Sequence, residues 1–162
     1  MNIFFLHHDP KLCAQMHNDK HIVKMILETA QLLSTTHHVL DPSAVPSPIY
    51  KKTHVNHPCA IWVRQCELHY MWTHALLKEL CTEYTVRYGK VHKTEHSGVV
   101  QALSEFPNIV AMRRNWVDPP QCMPDEFKSE SCVQAYRNYY MGPKAHLGVW
   151  TNREAPVWWD KQ

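Results

Sequence analysis

The chain has 162 residues, 44% of them hydrophobic and 20% charged, and a formal net charge of +2. These are the proportions of one ordinary globular domain spanning 1–162, which excludes a disordered tail protein, and no run approaches the roughly 18 apolar residues of a membrane span. The charge is too small to indicate nucleic-acid binding by itself; histidine, with 13 copies, is the compositional outlier.

The chain opens on Ile3-Phe4-Phe5-Leu6, long enough for one strand or a buried lead-in, without the basic flank and cleavage site of a signal peptide. Asp9-Pro10 then has the form of an N-cap followed by proline at the first helical position. Leu12, Met16, Val23, Ile26, Ala30 and Leu33 recur at helical spacing, predicting one helix from Lys11 to about Thr36. Pro42, Pro46, Pro48 and Pro58 make 37–58 a connecting loop. A second helix is expected over about Cys59–Tyr88, apolar around much of its circumference, central, and stopped by Gly89.

A short helix from Ser97 to Phe106 follows, then an ordered loop and a helix from about Asp125 to Tyr140. The tail Pro156-Val157-Trp158-Trp159 should pack back on the body, because adjacent exposed tryptophans are costly. Six cysteines without a Cys-x-x-Cys pair read as buried thiols of a reducing, cytoplasmic protein without disulfides. The expected fold is mainly α: a compact single-domain helical bundle with long proline-rich loops.

On one continuous first helix, His17, Lys20, His21, Lys24, Glu28, Gln31 and Thr35 fall within an arc of about 100°. The plain alternative is a solvated face, but histidine is an unusual choice there, and Lys24 before Glu28 is the weaker order for helix stabilisation. The same stripe offers an amine in Lys20 or Lys24, an acid/base carboxylate in Glu28, and imidazoles in His17 and His21. His17 and His21 also stand i, i+4, the spacing that brings two imidazoles to one metal, with His54, His57 and Cys59 on the proline-rich loop and His7-His8-Asp9 as further potential ligands. No cofactor is expected from these residues, while a divalent metal is compatible with them.

Three segments interleave bases with aromatics: Arg87-Tyr88-Gly89-Lys90-Val91-His92-Lys93, Arg113-Arg114-Asn115-Trp116, and Tyr136-Arg137-Asn138-Tyr139-Tyr140-Met141-Gly142-Pro143-Lys144. Any one of them reads as core aromatics with solvated neighbours. Together they suit phosphate binding and base stacking, with nucleic acid or a nucleotide as partner.

The helix beginning Lys11-Leu12-Cys13-Ala14-Gln15, the central helix after a Lys- and His-bearing loop, and the Tyr-rich stretch 136–144 resemble the phage- and virus-type pyrimidine-dimer DNA glycosylases often called endonuclease V. The resemblance touches about half the chain. It implies a helical fold, a DNA substrate, and attack on the sugar by the α-amine exposed on loss of Met1, assisted by a first-helix glutamate. Here position two is Asn2, before which Met1 is ordinarily retained, and Lys20, His21 and Lys24 stand where the family has arginines and its glutamate; the nearest carboxylate is Glu28.

The reading is therefore a nucleic-acid-processing enzyme of glycosylase/lyase type acting on a damaged or modified base. Lys24 or Lys20 supplies the amine, Glu28 the acid/base group, and His17 and His21 assist. Arg87, Lys90, Lys93, Arg113, Arg114, Arg137, Tyr140 and Lys144 hold the nucleic acid. Two alternatives stand beside it: a metal-dependent hydrolase using His17, His21, His54 and His57, and a non-catalytic nucleic-acid-binding domain.

Overall fold

Asp9 accepts a 3.0 Å hydrogen bond from the Leu12 amide and Pro10 takes the first helical position, so α1 (Pro10–Met16) starts where the cap signals place it. It does not continue into one long helix. His17 and Asn18 are extended, and the Asn18 side chain accepts from the His21 amide at 2.9 Å, starting α2 (Asp19–Leu40). A second N-cap inside an otherwise helical pattern resets the phase of every position after it. A computed structural model describes residues 1–107 and 115–159 of the chain.

The carbonyls left open at the end of α1 are met by a buried arginine. Arg87 donates to Gln15 O (3.0 Å) and His17 O (2.7 Å), and pairs with Asp19 (3.0 Å) and Glu83 (3.3 Å). Glu83 is itself buried and also pairs with Arg153. Four charges thus share one desolvated site in which each has a partner.

The buried face of α2 is Ile22, Met25, Ile26, Thr29, Ala30, Leu32 and Leu33, whereas Val23 and Leu27, like Leu12 on α1, are about two-fifths exposed. The next 17 positions, 41–57, are tacked along α2 by polar contacts: the Tyr50 amide donates to Ser34 Oγ, and Thr35 Oγ1 exchanges hydrogen bonds with the Thr53 backbone. That loop delivers the chain to α3 (Pro58–Gln65).

The expected second helix is also broken. At Cys66 the backbone is extended, ending α3 before α4 (Glu67–Tyr88). His69 Nδ1 lies 2.8 Å from Trp62 O, replacing the amide donor that a continuous helix would have placed there. The other nitrogen of that ring accepts from the Val117 amide. Gly89 closes α4 at φ 64°, a left-handed conformation that suits glycine. Leu68 and Val86 are exposed, so α4 buries one face, not most of its circumference.

Two short helices, α5 (Lys93–His96) and α6 (Val99–Ala102), replace the single one expected over 97–106. The helix expected over 125–140 is a 3-10 turn at Asp125–Phe127 and then α7 (Cys132–Met141), capped by Ser131. No strand forms among the described residues; Ile3–Leu6 is a buried lead-in, turned back at its end by the Leu6 amide donating to Phe4 O at 3.0 Å. One hydrophobic cluster joins this lead-in to α1, α2, α3, α4 and α7, with Trp158 and Trp159 packed against it as the tail was expected to do. The fold is mainly α, and no helix is long and apolar enough to cross a membrane among the described residues.

Candidate functional site

The lead-in carries the N-terminus onto the middle of α2. The Met1 amine lies 3.6 Å from Glu28 Oε2, and the Asn2 amide donates to the same oxygen at 3.2 Å. On the other carboxylate oxygen, Lys24 Nζ approaches to 3.4 Å. The Glu28 side chain is only 14% exposed, against 68% for Lys24, so the carboxylate is set in the wall and the lysine reaches outward.

Asn2 anchors this arrangement. Its Nδ2 donates to Cys122 O at 3.1 Å, while its Oδ1 accepts from the Tyr136 hydroxyl and the Ile3 amide, each at 2.8 Å. Burial raises the Tyr136 hydroxyl well above the ordinary phenol range, which keeps it a donor. The cysteine Cys59 contacts both Asn2 Oδ1 and Cys122 Sγ at 3.7 Å.

In front of Glu28 a groove of about 600 Å³ runs between α2 and the start of α5, lined by Val23, Lys24, Leu27, Glu28, Gln31, Tyr50, His92, Lys93 and Thr94. Such a volume is within the range of small-molecule sites. Lys24 and Lys93 border it, and exposed Lys51 and Lys52 directly follow Tyr50. Glu28 thus lines the groove under a cationic rim, and the Met1 amine, which does not line it, is enclosed behind the carboxylate.

Of the expected stripe, Lys24 and Glu28 come together here. Lys20 does not: it lies on a separate groove with Asp19, Val23, Tyr84, Tyr88, His146, Leu147 and Val149. His17 and His21 are corrected from surface to interior. His17 is fully buried at the end of α1, with burial lowering it to about 4, and its Nε2 has no hydrogen-bond partner among the described residues. His21 stacks on Phe4 and lies 2.5 Å from the Tyr140 hydroxyl; burial, then the positive charge of neighbouring groups, lowers it to about 3. The neutral imidazole and the tyrosine hydroxyl thus share one enclosed hydrogen bond. Thr35 is likewise buried, because the 41–57 loop lies over it and exchanges hydrogen bonds with it through the Thr53 backbone.

Two residues expected to hold nucleic acid are also corrected to interior positions, by their tertiary partners. Arg87 is 2% exposed and committed to the ends of α1, and Tyr140 is fully buried against His21. Arg137 donates to Leu6 O and sits 5.3 Å from the Trp158 ring centroid, a tie between the tail and the lead-in. Lys144 lies 5.2 Å over the Tyr139 ring. Lys90 and Lys93 are exposed. Arg113 and Arg114 lie outside the described residues.

The expected four-histidine metal set is not assembled, since His17 and His21 are enclosed in the core whereas His54 and His57 lie on the loop. Among the described residues, the group whose ligand atoms lie within 4.8 Å of one another is His57, Cys59 and Cys122. Burial, then the N-terminal charge, lowers His57, with Glu28 opposing. The contact with Cys59, with help from Lys128 and the N-terminus, lowers Cys122 to about 7 and raises Cys59. Reasoning along the chain offers His57 and Cys59 as ligands but misses Cys122, because 63 positions separate it from Cys59; the N-terminal amine had a signal through the family resemblance.

Searches of curated proteins and of solved structures returned no match. The family model described as pyrimidine dimer DNA glycosylase matches residues 1–96, a stretch that carries Met1, Lys24, Glu28 and every residue lining the groove in front of them. Because that match covers more than half of the chain, the protein belongs to the pyrimidine dimer DNA glycosylase family.

Proposed function

We propose that this protein excises a damaged base from DNA, using its N-terminal α-amine as nucleophile and Glu28 as the acid/base group. The observation that carries the reading is the approach of the Met1 amine to 3.6 Å from a largely enclosed carboxylate beside a lysine-rimmed groove. Processing of Met1 would not dismantle the arrangement, because the Asn2 nitrogen is 3.2 Å from the same oxygen.

The chemistry follows from those atoms. The neutral amine nitrogen bonds to sugar C1′ as the glycosidic bond breaks; that bond's electron pair leaves with the base, which takes a proton from solvent. Glu28 takes a proton from the new ammonium and returns it to O4′ as the sugar ring opens, leaving a protonated C1′=N imine to the protein. A base must be turned out of the duplex to expose C1′, and the groove beside Glu28 supplies a place for the displaced group. The DNA backbone is held by Lys24 and Lys93, with Lys51 and Lys52 beside them.

Two points favour the α-amine over the lysines. Lys24 is mostly in solvent, and Lys20 stands two turns from Glu28, about 12 Å along the helix.

Borohydride trapping on duplex DNA carrying an abasic site or ultraviolet damage tests the reading. A covalent adduct is expected, mapping to the N-terminal peptide and abolished when one residue is added before Met1. Glu28→Gln should lower turnover by about 10²–10⁴-fold, the usual weight of a general acid/base. An adduct on Lys20 or Lys24, or none on either DNA, would overturn it.

A further inference from the structure

We propose that His57, Cys59 and Cys122 form a binding site for a thiophilic divalent cation of the zinc type, joining the start of α3 to the segment before α7. The inference is independent of the glycosylase chemistry. It begins from a coincidence of donors: one imidazole and two thiols whose ligand atoms all lie within 4.8 Å of one another.

The spacing agrees with a metal geometry. Two thiolates at the usual zinc–sulfur length of about 2.3 Å, set at a tetrahedral angle, stand about 3.8 Å apart. Cys59 Sγ and Cys122 Sγ are 3.7 Å apart. An ion can therefore enter between them without drawing the two segments together.

Each donor is held in place by its neighbours. His57 is the N-cap of α3 and Pro58 its first residue, which puts Cys59 on the rigid first turn. Cys122 is fixed through its backbone: its amide donates to the Tyr136 hydroxyl and its carbonyl accepts from Asn2 Nδ2. His57 Nδ1 accepts from the Cys59 amide at 3.2 Å, a long contact. A neutral imidazole has one lone pair, so coordination replaces only this weak cap.

A His-Cys-Cys set also has the right chemical preference. Zinc favours thiolate and imidazole, whereas magnesium and calcium favour oxygen. Three protein ligands leave one tetrahedral position open, and Asn2 Oδ1, 3.7 Å from Cys59 Sγ, borders the cluster. The bound ion would brace the residue that anchors the N-terminus beside Glu28.

Cobalt titration of the reduced, chelator-treated full-length protein tests this without relying on activity. One equivalent of Co²⁺ should bind, with a thiolate-to-cobalt charge-transfer band in the near ultraviolet and tetrahedral absorption in the visible, and Zn²⁺ should abolish both. Cys122→Ser should remove about half the charge-transfer intensity, one thiolate of two, and His57→Ala should weaken binding roughly tenfold or more. Cys81→Ala, a buried cysteine outside the cluster, should leave the spectrum unchanged. Absence of the band while thiol titration shows Cys59 and Cys122 reduced overturns the site without needing any variant to fold, and full intensity in a folded Cys122→Ser protein overturns it as well.

Discussion

At the scale of single residues, burial decides what a histidine can do. His17 and His21 are held neutral inside the protein, lowered to about 4 and about 3, whereas in the unfolded chain they titrate near 6.5. Between those limits the unfolded state binds more protons, so stability falls as pH drops from about 6.5 toward 4. Each of the two can contribute up to about 1.4 kcal/mol per pH unit in that window. Thermal unfolding from pH 7 to pH 4 should show this slope, and the variant carrying His17→Gln and His21→Gln should lose much of it. An unchanged slope would mean that these two side chains are not enclosed as described. Neither residue has the accessible proton that an assisting catalytic role requires.

At the scale of elements, the two helix breaks organise the molecule, and both are stabilised by side chains that take over backbone hydrogen bonds. Arg87 serves the carbonyls at the end of α1 and His69 that of Trp62 near the end of α3. Replacing Arg87 by Met leaves those carbonyls and the carboxylates of Glu83 and Asp19 poorly matched, a loss expected to be about 3–5 kcal/mol in denaturant unfolding. The same variant should retain the salt dependence of DNA binding, measured below its unfolding midpoint. A reduced dependence with unchanged stability would restore Arg87 as a phosphate contact. The sequence shows α1 and the two long helices because their apolar spacing and caps are local. It conceals the breaks because the donors that tolerate them come from 7 to 72 positions away.

At the scale of the whole molecule, a net charge of +2 gives little general attraction for DNA, so affinity must come from local placement of cations. Lys24 and Lys93 face one groove from α2 and α5. Lys24→Ala and Lys93→Ala should each weaken DNA binding and reduce the slope of log affinity against log salt by about 1. Lys20→Ala, on the other groove, should leave that slope unaltered. Fluorescence anisotropy across a salt series distinguishes these outcomes; equal losses for all three lysines would indicate a diffuse field.

By itself the sequence determined the mainly helical class, the caps at Asp9 and Gly89, the proline-rich connection and the pairing of Lys24 with Glu28, because each rests on residues a few positions apart. The family resemblance in the first helix was legible for the same reason. Only the tertiary structure decided that His17, His21, Arg87 and Tyr140 are interior, that Met1 meets Glu28, and that Cys122 meets Cys59 and His57. Those outcomes depend on which distant segments share a desolvated space, and the local spacing of side chains does not encode that.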